Sequence, residues 1–189
     1  MRVVIINNGS SSIDHLNLLV SDILTNPIVL TFDSLSTSEV YDTDVLVLSG
    51  SSDLTAVWHD KEFADELSLI RSHPGPIIGI CLGMQLIAHA HGAHLHKLPE
   101  KRYGLAPITL EGDSELFDGI EYPQVFESHS WSVQKVDSPL QVLATSGAGI
   151  EVFQHESRQI IGVQFHPEAS EPGDGKDLFT TLVAQFNTR

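Results

Sequence analysis

Cys81, the single cysteine of the sequence, is the residue best suited to covalent chemistry. It is the centre of residues 79–83, Gly-Ile-Cys-Leu-Gly, which match the small–x–nucleophile–x–small pattern of a nucleophile elbow. The two glycines permit the sharp strand-to-helix turn that an elbow requires. The dipole of the following helix would favour the thiolate form. The pattern predicts a nucleophilic cysteine, and the alternative is a structural cysteine buried in the core.

His166 and Glu168 could assist such a nucleophile. They end residues 162–168, Gly-Val-Gln-Phe-His-Pro-Glu, which we expect to finish a β-strand. In an extended chain, side chains two residues apart project from the same face, about 6.6 Å apart along the strand. A carboxylate placed there can orient the imidazole while the other ring nitrogen faces a thiol. The alternative is a surface histidine beside a solvated glutamate, but the presence of Cys81 favours a Cys-His-Glu triad.

The first half of the chain predicts a parallel sheet that would position these residues. Continuous apolar runs, typical of buried strands, alternate with segments of helical periodicity. Such alternation indicates a parallel sheet covered by helices on both faces. The predicted strands are Arg2–Asn7, Ile28–Phe32, Val45–Leu48 and Pro76–Ile80, and the predicted helices are Ser12–Leu24, Asp60–Ser72 and a segment after Cys81.

The second half has a different pattern, with short strands separated by glycine and proline. Six strands are predicted: Ala106–Leu110, Gln124–Ser128, Ser132–Val136, Gln141–Ala144, Ile150–Gln154 and Ile160–Phe165. A final helix is expected from about Lys176 to Phe186. We therefore expect a single α/β domain over residues 1–189, with a mostly parallel central sheet and additional short antiparallel strands.

The composition excludes several classes of protein. The 189 residues carry 10 Lys plus Arg and 25 Asp plus Glu, a formal net charge of −15. An acidic surface repels phosphate backbones and anionic lipids, so we expect neither a nucleic-acid nor a membrane partner. The apolar runs are too short to span a bilayer and the N-terminus lacks the pattern of a signal peptide. A lone cysteine cannot form an internal disulfide, which favours a cytoplasmic protein.

Four segments, taken together, resemble the class I (triad) glutamine amidotransferase family. Two are residues 79–85, Gly-Ile-Cys-Leu-Gly-Met-Gln, and residues 162–168. Residues 48–52, Leu-Ser-Gly-Ser-Ser, occupy the place of the family's Ser-Gly-Gly-Pro loop. Residues 127–133, Glu-Ser-His-Ser-Trp-Ser-Val, resemble the strand-loop that holds the substrate glutamine. The four segments occur in the family's order across essentially the whole chain.

The resemblance implies a flavodoxin-like fold and a glutaminase that needs no cofactor and no metal. Cys81 would attack the side-chain amide of glutamine, His166 would protonate the departing ammonia, and Glu168 would hold the imidazole. The γ-glutamyl thioester would then be hydrolysed to glutamate. The implied substrate-binding residues are Gly50, Ser51, Leu82, Gln85, Ser128, His129, Ser130 and Trp131. Ser51 and Leu82 would offer backbone N–H groups to the oxyanion.

Two departures concern the oxyanion loop and the acceptor. Ser51 and Ser52 stand where the family has glycine and proline, which changes the pre-organisation of this loop. Residues 128–131, Ser-His-Ser-Trp, share Ser-His with GMP synthase-type subunits and His-Ser with anthranilate synthase-type ones. We expect both Gly50–Ser52 and Ser128–Trp131 to be mobile loops that a partner orders.

The leading hypothesis is therefore a glutaminase subunit that supplies ammonia to a separate synthetase of GMP synthase type. The alternatives are the glutaminase component of an anthranilate or aminodeoxychorismate synthase, a freestanding γ-glutamyl hydrolase, and a binding module without activity.

Two other motifs suggest different sites, and neither is favoured. The histidines at positions 89, 91, 94 and 96 do not share one face, which disfavours a metal site. Residues 173–176, Gly-Asp-Gly-Lys, lack the Ser or Thr of a P-loop.

Overall fold

The computed structural model describes residues 2–41, 44–56, 59, 61–111, 120, 122–169 and 172–187. Ten strands and four α-helices are assigned within these residues. In chain order they are β1 (Val3–Asn7), α1 (Ile13–Ile23), β2 (Ile28–Thr31), β3 (Val45–Leu48), α2 (Ala64–Ser72), β4 (Ile77–Ile80), α3 (Leu82–Ala90), β5 (Leu95–Pro107), β6 (Thr109–Leu110), β7 (Gln124–Val133), β8 (Leu140–Ser146), β9 (Gly149–His155), β10 (Ile160–Val163) and α4 (Gly175–Ala184).

Eight of these strands form one sheet in the order β2-β1-β3-β4-β10-β9-β8-β6. The first five strands of this order are parallel, and β9, β8 and β6 continue the sheet in antiparallel pairs. This confirms the prediction of a mostly parallel central sheet extended by antiparallel strands. In α/β sheets, ligand sites lie beyond the carboxyl ends of the parallel strands. The segments that follow β3, β4 and β10 meet at that edge, and they contain Gly50, Cys81 and His166.

Helices cover both faces of the sheet because strand side chains alternate between the faces. Val3 and Ile5 of β1 belong to an apolar cluster that includes buried residues of α1 and α4. Val4 and Ile6 belong to a second cluster, formed with α2 and α3. These four residues of β1 are fully buried, which explains why the sequence of the strand is a continuous apolar run.

β5 and β7 form a separate antiparallel ribbon, which the sequence did not predict in this form. The two predicted strands Gln124–Ser128 and Ser132–Val136 are one strand, β7. Ser128–Trp131 therefore lies within a strand and is not a loop, because its residues pair with β5 between Lys97 and Tyr103. That register contains an irregularity between Lys97 and Arg102.

Two further boundaries differ from the prediction. β5 begins at Leu95, eleven residues before the predicted Ala106. The prediction missed this start because most residues of β5 are exposed and show no apolar alternation. α2 begins at Ala64, later than predicted, and Asp60, the predicted start, lies outside the described residues. Within the described residues, no helix is both long enough and apolar enough to cross a membrane.

Candidate active site

Cys81 lies at the turn between β4 and α3, in a backbone conformation that side chains rarely adopt. Its φ is 51° and its ψ −103°, and it is the one described non-glycine residue with positive φ. The flanking glycines make the turn possible: a Cβ on Gly79 would lie 2.6 Å from Met84 N, and one on Gly83 would overlap the carbonyl oxygen of Leu48. The sequence therefore forms the predicted elbow geometry, with Cys81 at the N-terminus of α3.

His166 and Glu168 form a buried hydrogen-bonded pair beside this turn. His166 Nδ1 lies 2.8 Å from Glu168 Oε1, and the two side chains are 14% and 1% exposed. Their geometry differs from the expectation of an extended strand, because β10 ends at Val163 and a turn follows. In that turn the Ala169 N–H donates to the His166 carbonyl at 3.2 Å. The turn brings the carboxylate into direct contact with the ring.

The surroundings of His166 favour the charged form of its imidazole. Burial alone would lower the pKa of His166, but the Cys81 thiolate and the Glu168 carboxylate together raise this pKa well above its ordinary value. His166 Nε2 has no hydrogen-bond partner among the described residues. The arrangement favours an imidazolium next to a thiolate.

Gly50 lies close to both Cys81 and His166. A Cβ built on Gly50 would lie 3.1 Å from His166 Cε1 and 3.9 Å from Cys81 Sγ. Any side chain at this position would press on the imidazole. The predicted role of Gly50 in the site thus has a steric basis.

The serines that replace the family's glycine and proline hold the loop through their hydroxyl groups. The Leu54 N–H donates to Ser51 Oγ at 3.0 Å, and the Ser11 N–H donates to Ser52 Oγ at 3.2 Å. The Ser52 N–H donates to the Gly9 carbonyl at 3.2 Å. These bonds tie the segment to itself and to the turn after β1, so the loop has a defined conformation despite the changed residues.

The backbone N–H groups of Ser51 and Leu82 remain available. Neither donates a hydrogen bond to another group in the part of the chain that the structure describes. The Leu82 N–H is unpaired because it opens helix α3, whose first N–H groups have no partner within the helix. Free N–H groups next to a nucleophile are what an oxyanion requires.

A cleft of about 540 Å³ opens onto Cys81 and His166. Seven of the eight predicted substrate-binding residues line it: Ser51, Leu82, Gln85, Ser128, His129, Ser130 and Trp131. Gly50 lies just behind, against Cys81, and Glu168 lies behind His166. The structure therefore brings together the residues that the sequence predicted, although four of them belong to a strand.

Gln85 supports the cleft wall from inside the core. Its amide Nε2 donates to the Trp131 carbonyl at 2.9 Å and to Gln164 Oε1 at 3.0 Å. His129 Nδ1 lies 2.9 Å from the same Trp131 carbonyl. These bonds fix β7 against α3, and α3 against the segment after β10.

Sequence reasoning missed some residues at and behind the site. Lys101 and Tyr103 of β5 line the cleft, but their strand has no periodic pattern that would have placed them there. Behind β7, Glu151 is fully buried, and burial together with the Glu127 carboxylate raises the pKa of Glu151 to about 8. The spacing of Glu127 and His129, two apart on one strand face, was an available signal.

The comparisons with known proteins agree with this geometry. A model of the family described as glutamine amidotransferase class-I matches residues 4–185. The chain belongs to this family. The family resemblance predicted from the four segments is therefore confirmed.

The relatives of this class-I glutamine amidotransferase include glutamine-hydrolysing GMP synthases. A GMP synthase subunit of Methanococcus maripaludis strain C5 is 32% identical over 181 residues, which cover 91% of each chain. The GMP synthase of Campylobacter lari is 41% identical over 110 residues, which are 57% of this chain and 22% of that longer protein. The solved structure of a candidate GMP synthase subunit from Thermoplasma acidophilum has a TM-score of 0.85 at 23% identity, covering 100% of this chain and 94% of that one.

Proposed function

We propose that this chain is a glutaminase subunit that hydrolyses glutamine to glutamate and delivers the ammonia to a separate synthetase. The observation that carries the proposal is the elbow cysteine, Cys81, beside the imidazole of His166, whose Nδ1 lies 2.8 Å from Glu168 Oε1. Family membership and the GMP synthase relatives support the same chemistry. We place the reaction in the cytoplasm, where reducing conditions keep a lone thiol free.

Cys81 acts as the nucleophile in this proposal. Its thiolate attacks the side-chain amide carbon of glutamine, and the carbonyl oxygen becomes an oxyanion. His166 then gives its Nε2 proton to the amide nitrogen, so ammonia leaves and a γ-glutamyl thioester remains. The neutral imidazole next takes a proton from water, which attacks the thioester and releases glutamate. Glu168 orients His166 throughout and stabilises the imidazolium in the stages where the ring is charged.

The backbone N–H groups of Ser51 and Leu82 stabilise the oxyanion in this mechanism. Both are free of other partners among the described residues. Loss of one such donor costs about 3 kcal/mol of transition-state stabilisation in comparable sites. The hydrogen bond from the Leu54 N–H to the Ser51 hydroxyl helps to hold the Ser51 backbone in place.

The amino-acid end of glutamine binds along β7 in the proposed complex. Ser128, His129, Ser130 and Trp131 line the cleft there. Gln85 supports that wall through the Trp131 carbonyl, and Gly50 leaves room for the reacting atoms. No cofactor or metal takes part in this chemistry.

A synthetase of GMP synthase type is the proposed partner, because relatives that match most of the chain are named as one subunit of that glutamine-hydrolysing enzyme. Glutamine hydrolysis should be slow for this chain alone and should rise when the ATP pyrophosphatase subunit of a GMP synthase and its nucleotide substrates are added. Stimulation by a chorismate-binding subunit instead would favour an anthranilate or aminodeoxychorismate synthase. Rapid cleavage of γ-glutamyl amides by the chain alone, with no stimulation, would overturn the subunit proposal in favour of a freestanding hydrolase.

A further inference from the structure

Three ionisable side chains converge at β7, in the wall of the cleft. They are Glu127 and His129 of β7 and Glu151 of β9, and one ligand atom from each lies within 4.8 Å of the others. Their exposed fractions are 1%, 4% and 0%. β9 approaches β7 closely at Gly149, where a Cβ would lie 2.6 Å from the Val133 carbonyl oxygen. The two strands thus bring three buried side chains with ligand atoms close together.

When both glutamates are ionised, four polar atoms of this cluster lack a hydrogen-bond partner among the described residues; protonated Glu151 instead hydrogen-bonds to Glu127. The four atoms are both carboxylate oxygens of Glu127, Nε2 of His129 and Oε2 of Glu151. Glu151 Oε1 accepts a bond from Ser146 Oγ at 2.7 Å. Buried polar atoms are normally paired, since an unpaired one costs about 1–3 kcal/mol. Four such atoms close together indicate a candidate ligand site.

The hydrogen bond of His129 identifies which kind of ligand the pocket suits. His129 Nδ1 lies 2.9 Å from the Trp131 carbonyl, and a carbonyl only accepts, so Nδ1 carries the proton. In the neutral ring, Nε2 then presents a lone pair toward Glu127 Oε2 at 3.4 Å. A proton shared by the two carboxyl groups would leave that lone pair unpaired. Histidines that bind metals are commonly oriented by such an Nδ1–H to carbonyl bond.

We propose that Glu127, His129 and Glu151 form a binding site for a divalent cation, for which Zn²⁺ is best suited. Zinc binds imidazole nitrogen and carboxylate oxygen at about 2.0–2.2 Å, and a tetrahedral shell at those lengths separates neighbouring ligand atoms by roughly 3.4 Å. The separation of Glu127 Oε2 and His129 Nε2 already has this value, 3.4 Å. A divalent charge would also neutralise two buried carboxylates.

The ion would stabilise the cleft wall to which His129 belongs, and it would take no part in cleaving the glutamine amide. His129 shares the Trp131 carbonyl with Gln85, so an ion held by His129 fixes the same turn of β7 that lines the cleft. The nearby guanidinium of Arg102 attracts Glu151, but in the described part of the chain it donates no bond to the three ligands. A resident cation therefore acts as a positioning element behind the active site.

Metal binding by the full-length chain tests the proposal directly. The chain is stripped with a chelator, incubated with ZnCl₂ and passed over a desalting column, and bound zinc is measured by mass spectrometry. We expect one zinc ion per chain and a zinc-dependent rise in Tm. Co²⁺ in place of Zn²⁺ should give the visible absorption of a tetrahedral site.

Matched variants locate the ion. Glu151→Gln keeps the side-chain shape and an acceptor for Ser146, and Glu127→Gln is its counterpart on β7; each should weaken zinc binding by about 100-fold or more. His94→Asn/His96→Asn removes exposed histidines, and Cys81→Ala removes the single thiol; both should bind zinc as the wild type does. Tm measured without zinc verifies that each variant is folded.

Three results would overturn the proposal. The first is a wild-type protein that retains no zinc. The second is a loss of zinc binding in His94→Asn/His96→Asn or in Cys81→Ala. The third is a Glu151→Gln variant that binds zinc as tightly as the wild type. If zinc fails to bind while Glu151→Gln raises Tm, the cluster holds a shared proton. None of these readouts depends on glutamine hydrolysis, so they are independent of the proposed glutaminase activity.

Discussion

At the scale of single residues, backbone conformation and electrostatics act together on Cys81. A φ of 51° costs of order 1–3 kcal/mol for a residue with a side chain. The close packing of Gly79 and Gly83 against neighbouring backbone enforces this conformation. The strained turn directs the thiol toward His166, and Glu168 completes the group.

Glu168→Gln should keep the fold but lower glutamine turnover by about 100-fold or more, because a neutral amide no longer stabilises the imidazolium. Since Glu168 contributes to the raised pKa of His166, the substitution lowers that pKa. The general acid is then lost at lower pH, so the alkaline limb of the kcat/KM profile should move to lower pH. An unchanged rate and pH profile in a fully active complex would show that Glu168 does not hold His166.

Gly50→Ala should reduce turnover while leaving Tm nearly unchanged, because its Cβ would lie 3.1 Å from His166 Cε1 and displace the ring. Gly147→Ala is the matched control, since a Cβ there would make only an ordinary 3.6 Å contact with Arg102. Both variants are measured by steady-state glutamine hydrolysis and thermal unfolding. Equal activity of the two variants would contradict the steric role of Gly50.

At the scale of elements, a buried network connects α2 to the loop that carries Gly50. Asn8 at the end of β1 donates from its N–H to Ser49 Oγ at 2.8 Å, and from Nδ2 to the Ser49 carbonyl and to Glu66 Oε1, each at 3.1 Å. Glu66 of α2 is 1% exposed. Burial raises the pKa of Glu66 to about 8, against the opposing effect of the Asn8 bond.

Glu66→Gln should make stability less dependent on pH. A carboxyl group with a raised folded-state pKa contributes stability that is fully present below its unfolded value of 4.5 and is lost as pH rises through about 8. Urea unfolding should therefore show wild-type stability falling relative to the variant between pH 5 and 8, by at most about 1.4 kcal/mol per pH unit. Asp65→Asn, an exposed change on the same helix, is the control for a general charge effect. A constant difference between wild type and Glu66→Gln would contradict the protonated state.

Elements differ in how well the sequence predicts them. β1, β3 and β4 are fully or almost fully buried, so their apolar runs predict their bounds to within one residue. β5 is mostly exposed, and β7 carries Glu127 and His129 on its buried face. Polar residues on a buried face and polar residues on an exposed strand both remove the alternation on which a prediction depends.

The sequence likewise predicts some residues of the site and not others. Cys81, His166 and Glu168 lie in short segments whose local pattern implies chemistry, and the structure brings them together. Lys101 reaches β7 through the pairing of β5 with β7, and Glu151 through the packing of β9 against β7. Local spacing contains no information about such contacts, so neither residue could be placed from the sequence.

At the scale of the whole molecule, the topology gathers the site from distant parts of the chain. β3, β4 and β10 are adjacent in the sheet, so Gly50, Cys81 and His166 meet although they are widely separated in sequence. The cleft opens at the carboxyl edge of the parallel strands, where a synthetase can receive ammonia. A net charge of −15 favours a partner whose contacting surface is basic.

The most direct test of the central claim is a pair of assays on Cys81→Ala in the complex reconstituted with a GMP synthase-type synthetase. Glutamine and ammonium are supplied in turn as the nitrogen source, and product formation is measured with each. Because ammonia enters after the thioester chemistry, the variant should form no product from glutamine and should form product from ammonium at the wild-type rate. Product formation from glutamine by Cys81→Ala at the wild-type rate would contradict the assignment of Cys81 as the nucleophile.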